Sequence, residues 1–193
     1  MGYPSILYKK LSIIFLTCML LYSANTWASI DANTSFVYVN ISKRTLSVIN
    51  NGRTEAVFNN ISIGKGGAAT LRQQGDGKTP LGEFKIVWIN RNSRYHLFFG
   101  LDFPNIDYAV RAFQANIINQ SELYAIQRAY ALKQTPPQET QLGGYIGIHG
   151  IGKGDPETHD SFNWTDGCIA LTNKQINQLA KLIGIGTKVI ITT

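Results

Sequence analysis

The sequence predicts a mainly β, α+β domain. Strand-like segments dominate, helical periodicity is confined to two stretches, and no regular β-α alternation suggests a doubly wound sheet. With 193 residues, 44% hydrophobic and 16% charged, the chain holds one globular domain, or one domain plus a leader. The apolar content excludes a disordered chain, and 18 Gly with 6 Pro exclude a collagen-like one.

The strands follow in order. Phe36–Val39 and Thr45–Ile49 are rich in β-branched and aromatic residues, and Asn50-Asn51-Gly52 signals a hairpin turn after them. Thr54–Phe58 and Ile61–Ile63 continue the β pattern until Gly64–Gly67 breaks it. Glu83–Ile89 and Leu97–Leu101 read as two further strands. Gln120–Lys133 has helical spacing, with Leu123, Ile126 and Tyr130 on one side, and Thr135-Pro136-Pro137 ends it. Tyr145–Ile148 is a short apolar strand that leads into His149, and residues 150–164 read as a loop. Thr172 and Gln175 form a capping box for a second helix, whose Ile176, Leu179, Ala180 and Ile183 fall on one face. Thr187–Ile191 is the last strand.

Residues 1–28 stand apart. Lys9-Lys10, an apolar run of 12 residues from Leu11 to Tyr22 and a small-residue stretch ending at Ala28 make the three-part pattern of a secretory signal peptide. Cleavage there leaves residues 29–193 with 16 basic and 12 acidic residues, a net charge of +4. The expected location is the periplasm or the outside of the cell, with no stable membrane span after cleavage, and the mild positive excess suits an anionic surface such as a cell wall. No cluster of Lys and Arg points to nucleic acid. Cys18 leaves with the leader, so Cys168 is the lone thiol of the mature chain and has no internal disulfide partner.

Gly147-Ile148-His149-Gly150 and Thr165-Asp166-Gly167-Cys168-Ile169-Ala170-Leu171, with 18 residues between His149 and Cys168, carry the chemistry. A thiol becomes a good nucleophile near neutral pH when a base adjoins it, and His149 is the natural base. Gly167 permits a tight turn, and amides beside Cys168 could face a developing oxyanion. A zinc site from His149, His159 and Asp155 or Asp160 is the competing reading; it lacks a close-spaced ligand pair such as His-x3-His. A wall-binding module without catalysis would have no use for a thiol–imidazole pair. Gly64-Lys65-Gly66-Gly67 lacks the spacing of a phosphate-binding loop.

These segments resemble the L,D-transpeptidase catalytic domain family of YkuD type. The His-Gly pair and the Gly-Cys element match its signature, and Gly75-Asp76-Gly77-Lys78-Thr79-Pro80-Leu81-Gly82-Glu83-Phe84 resembles its Gly-Asp-x-x-Thr-Pro-x-Gly-x-Phe turn. Ser93-Arg94-Tyr95-His96 and Phe103-Pro104-Asn105 resemble stretches of one branch, and the likeness spans residues 36–193. Asp166 stands where many members have a second histidine, and Ala170 where many have arginine. The resemblance implies a β-sandwich of two mixed sheets with capping helices. It implies acyl transfer on peptidoglycan stem peptides through a thioester at Cys168, with His149 as base, no cofactor and no metal. An amine acceptor, such as a second stem or a wall-anchored lipoprotein, would give transpeptidation; water would give an L,D-carboxypeptidase or an amidase that frees the lipoprotein. It assigns Gly150 to orienting His149 through its carbonyl, Thr165, Asp166 and Gly167 to supporting the thiol loop, and Tyr95, His96 and Trp164 to lining the substrate cleft.

Overall fold

A computed structural model describes residues 35–193, and the leader expected over residues 1–28 lies outside the described residues. The chain opens with a meander of β1 (Phe36–Asn40), β2 (Thr45–Asn50) and β3 (Arg53–Asn59). Alternation is strict in the first two strands, with Val37, Val39, Leu46 and Val48 turned into the core. The β2–β3 turn uses Asn51 and Gly52, both with positive φ (51° and 72°), as a two-residue hairpin turn of matching twist requires. A small parallel pair, β4 (Ala68–Ala69) and β5 (Thr79–Pro80), precedes β6 (Gly82–Ser93) and β7 (His96–Leu101). Then come α1 (Ile106–Gln114), α2 (Gln120–Ala131), β8 (Gly147–Gly150), α3 (Pro156–Ser161), β9 (Ile169–Leu171), α4 (Asn173–Leu179) and β10 (Lys188–Thr192).

Eight strands form one mixed ladder in the order β3-β2-β1-β10-β6-β7-β8-β9, with β1–β10 and β8–β9 parallel and the other pairs antiparallel. The two expected sheets are thus two halves that share β6. Its first residues, Gly82–Lys85, pair with β10; from Ile86 onward it pairs with β7. The register slips between Ile86 and Trp88, a bulge that increases local twist and turns the strand from one half to the other. The core is continuous from Val37 and Leu46 through Phe84, Ile86 and Phe99 to Ile148, Ile169 and Ile191.

The two expected helices form, each with a reciprocal capping box: Asn119–Glu122 for α2 and Thr172–Gln175 for α4. On α2 the buried residues are Leu123, Ile126 and Ala129, whereas Tyr130 is 60% exposed. Two further helices form, α1 in a stretch for which the sequence predicts no element and α3 inside the expected loop of residues 150–164. In α1, Asn105 accepts from the Tyr108 amide as the N-cap, and the helix buries Tyr108, Ala109 and Ala112. In α3, Asp155 caps a single six-residue turn with Pro156 at its start. The strand expected from Tyr145 begins only at Gly147, because Tyr145 has φ +55° and cannot continue an extended ladder.

The far edge of the ladder is covered by the chain leaving β3. Ser62 and Ala170 exchange two backbone hydrogen bonds (3.0 and 2.7 Å), and Thr165 and the Ile63–Lys65 segment exchange two more (3.1 and 2.8 Å). This satisfies an edge strand that would otherwise present unpaired amides. The fully buried Ser62 hydroxyl adds a bond to Phe162 O (2.9 Å) and accepts from the Trp164 amide (3.2 Å). Ser62→Ala should therefore lower stability by about 1–3 kcal/mol in urea titration, since it leaves buried polar groups unpaired. A variant as stable as the parent would show that this hydroxyl does not hold the edge.

Candidate active site

His149 is the next-to-last residue of β8, and β9 begins one residue after Cys168. The parallel register pairs Ile148 with Ile169 and His149 with Ala170, so Cys168 enters beside Gly147. His149 and Cys168 line one open cleft of about 600 Å³, together with Trp88, Tyr95, Phe98, Tyr145, Trp164 and Asp166 among others. The Thr165–Cys168 turn is held by its own bonds: Thr165 Oγ1 donates to Cys168 O (2.7 Å) and accepts from the Gly167 amide (3.2 Å). Gly167 has φ +128°, and a Cβ there would lie 2.7 Å from Lys78 O, so the turn needs glycine on both counts. The Gly167 amide is engaged by Thr165, which removes one of the amides expected to face an oxyanion.

His149 is 2% exposed and packed in aromatic rings. Tyr95 stacks on it at 4.3 Å, Phe98 at 5.6 Å with planes 9° apart, and Trp164 meets it edge-on at 5.8 Å. Trp88 continues the column by stacking on Phe98 at 4.8 Å. Two glycines paired across β7 and β8, Gly100 and Gly147, make room for these rings. A Cβ on Gly100 would fall 1.9 Å from the Trp88 ring, and one on Gly147 would fall 2.4 Å from Phe98.

Nδ1 of His149 bonds Gly150 O at 2.7 Å, which sets the tautomer: the proton sits on Nδ1, and Nε2 is left as an acceptor. Burial pulls the imidazole down to about 4; the Gly150 carbonyl opposes this, while His159 and Arg94 add to it. Burial pushes the thiol up to about 11, against the Gly147 amide and Arg72, with Asp166 adding to the rise. At neutral pH the pair therefore rests as thiol and neutral imidazole. The thiol hydrogen bond goes to Tyr145 O (3.3 Å) and not to His149, contrary to the expectation that the turn sets the thiol directly on its base.

The other expected residues divide. Gly150 touches His149 through its carbonyl, and Tyr95 and Trp164 line the cleft as rings against His149. His96 does not line the cleft. Its φ of +74° takes it out of strand alternation, and its Nε2 bonds Asn177 on α4 (2.9 Å). Asp166 makes no hydrogen bond within the thiol turn; 85% exposed, it pairs with Lys65 at 2.7 Å at the cleft mouth, an arrangement of little energetic weight. The zinc reading finds no ligand set. Among the described residues no three His, Cys, Asp or Glu side chains converge. Asp155 caps α3, and His159 Nδ1 accepts from the Trp164 indole (3.3 Å). Sequence reasoning missed Phe98, Trp88, Tyr145 and Arg72. Phe98 had a local signal, since it lies across from His149 on a predicted neighbouring strand; the rest depend on tertiary approach.

The family model of the L,D-transpeptidase catalytic domain (YkuD) matches residues 34–191. The chain belongs to that family. Among solved structures, the fold is similar to the helical cell shape determining protein Pgp2 from Campylobacter jejuni (22% identity, TM-score 0.54) and to Bd1075 from Bdellovibrio bacteriovorus (21%, 0.52). In both cases 83% of this chain aligns with 48% of the other, so the chain spans about half their length. No curated protein sequence matches the chain. Among the described residues no helix is long and apolar enough to cross a membrane.

The depressed His149 makes stability depend on pH. The folded value of about 4 lies below the ordinary 6.5, so the unfolded chain takes the proton first. This contribution is complete above about pH 6.5 and is lost as pH falls through about 4, reaching about 3 kcal/mol. His159, also lowered by burial, acts in the same direction. Urea titrations near pH 7 and pH 4.5 should show a smaller loss for His149→Gln than for the parent. An equal loss would place the pH dependence elsewhere.

Proposed function

We propose that the protein is an exported cysteine acyl-transferase acting on peptidoglycan stem peptides, the substrates of L,D-transpeptidase-type enzymes. The observation that carries this reading is the shared cleft: Cys168 at the entry to β9, and beside it a neutral His149 whose proton is committed to Gly150 O. In this mechanism Cys168 Sγ attacks the carbonyl of the third stem residue, at its L-centre, while Nε2 of His149 takes the thiol proton. The low basicity of the buried imidazole suits it to hand that proton on to the departing amine, D-alanine or another. A thioester remains on Cys168. An amine acceptor, from a second stem or a wall-anchored lipoprotein, closes the cycle by transpeptidation. Tyr95, Phe98 and Trp164 shield the imidazole from water and set its plane.

One observation favours water as the acceptor. Ala170 is fully buried and bonded both ways to Ser62, so the position that carries arginine in many members offers no guanidinium to a substrate carboxylate. Hydrolysis at the same thioester, as an L,D-carboxypeptidase or amidase, is the second reading.

Mass spectrometry of purified disaccharide-tetrapeptide after incubation with the protein decides between them. A cross-linked dimer is the expected product; a tripeptide would assign hydrolysis, and unchanged substrate would overturn both. Cys168→Ala and His149→Ala should each lower turnover at least ~100-fold, with the double variant little worse, because the two act as a unit. Activity should survive EDTA.

Export is part of the proposal. N-terminal sequencing of the protein from a periplasmic or wall fraction should begin near Ser29. A sequence beginning at Met1 or Gly2 in a membrane pellet would refute the leader.

A further inference from the structure

Arg72 lies directly behind the thiol turn. Its side chain is 4% exposed, an expensive place for a cation without full compensation. Nη1 sits 3.2 Å from where a Cβ of Gly167 would be, and 3.7 Å from that of Gly143. The guanidinium thus fills the space under both backbone segments that flank Cys168: one enters the thiol turn, and the other leads to Tyr145, whose carbonyl receives the thiol. A side chain at either glycine would crowd it, and both glycines have positive φ.

The compensation for this charge is incomplete. Nη2 donates to Gln73 O (3.2 Å), and the guanidinium lies 5.8 Å over the Phe103 ring. Nε has no hydrogen-bond partner; Asp76 Oδ1 lies 3.5 Å away as an ion-pair partner. Asp76 is itself fixed by the Gln73 and Lys78 amides (2.8 and 2.9 Å), which it accepts at Oδ2 and Oδ1. The Gly75–Lys78 turn therefore holds Asp76, Asp76 anchors Arg72, and Arg72 reaches the thiol turn. Phe103 and the Tyr108 hydroxyl, which accepts from the Arg72 amide at 2.7 Å, close the far side with apolar surface.

We propose that Arg72 is a positioning residue for Cys168: a buried, undercompensated positive charge under the Gly167–Cys168 turn that stabilises negative charge as it develops on the sulfur. This deepens the proposed thiol chemistry and rests on Cys168 being the reacting group. The charged or titratable groups around the sulfur are His149 from β8, Asp166 from its own turn, Arg94 and Tyr95 from the turn between β6 and β7, and Tyr145, all lining the cleft, with Arg72 behind the thiol turn from the segment before β5; Asp166 is offset by its ion pair with Lys65, and Arg94 lies over the Tyr95 ring with Nη2 donating to the Tyr95 hydroxyl. Asp166 opposes thiolate formation, the neutral His149 supplies no positive charge, and Arg72 is the cation that favours it.

The test reads thiol reactivity and needs no peptidoglycan. Iodoacetamide alkylates Cys168 by forming the S–C bond as iodide leaves, with the thiol proton passing to His149 or solvent. The rate below the thiol's own pKa follows the thiolate fraction. In the purified full chain, with alkylation followed by mass spectrometry on the peptide that carries Cys168 and not on the one that carries Cys18, Arg72→Gln should displace the rate–pH curve upward by about one unit, about tenfold slower alkylation near pH 8, while Arg72→Lys should stay within about threefold of the parent. Asp76→Asn removes the counter-charge and should speed alkylation. A purely structural role predicts that both Arg72→Gln and Asp76→Asn disturb the turn in the same direction and that Arg72→Lys gives no rescue. Unchanged alkylation in Arg72→Gln, or slowing in Asp76→Asn, overturns the proposal. Should Arg72→Gln fail to fold, Asp76→Asn alone decides it: acceleration supports, any other result refutes. Failure of the muropeptide assay with these alkylation shifts intact would count against the substrate and not against Arg72.

Discussion

The architecture depends on β6 serving two neighbours at once. A strand of 12 residues pairs with β10 at its start and with β7 along the rest. Backbone groups in a core must be paired somewhere, so one ladder cannot become two separate sheets unless a strand is shared or edges are left open. The bulge at Val87 lets the shared strand turn without losing its bonds, and Gly186 and Thr187 supply partners to Ile86 at the junction. From that junction the positions of β7, β8 and β9 follow, and with them the places of His149 and Cys168. The return bridge from Ser62 to Ala170 then closes the outer edge and presses the Trp164 segment against the imidazole.

The electrostatic character of the site is unusual for the cysteine nucleophile proposed. Enzymes that hold a thiolate–imidazolium pair keep the charges near polar groups, but here burial raises the thiol and lowers the imidazole together. Charge is created only when the proton moves, so the environment matters most during reaction. Rings cover the imidazole side of the open cleft, so water is kept from His149 while the half-buried Cys168 stays within reach of a substrate. The groups that are charged in the resting state are Asp166 with Lys65 at the mouth, Arg94 in the cleft wall and Arg72 behind the turn.

The β elements were legible because their residues alternate: Val37 and Val39, Leu46 and Val48 carry the pattern in the chain itself. The capping box at Thr172 and Gln175 was equally local. What escaped reading was short or relational. α3 has six residues, too few for periodicity, although Asp155-Pro156 marked its start; β9 has three, hidden in the Cys-Ile-Ala-Leu run. α1 was masked by Pro104 before it, while Asn105 and the small buried Ala109 and Ala112 carried its signal. Tyr130 reads on one side with Leu123 and Ile126 because it follows them at i+7 and i+4, yet the helix buries Ala129 beside it. At the site, the identities of His149, Gly150 and Cys168 could be read from spacing and resemblance. Their relations could not: that the thiol bonds Tyr145 O, that His96 turns toward α4, and that Arg72, 96 positions before Cys168, lies behind it are all products of three-dimensional approach.

Gly100 and Gly147 face each other across β7 and β8, and two aromatic rings lie flat where their side chains would be. A survey that ranked positions by how badly substitutions are tolerated would set these two beside His149. Neither has an atom that takes part in chemistry. Their indispensability is that of empty space, and intolerance to change at this cleft therefore measures flatness of its floor as much as reactivity of its groups.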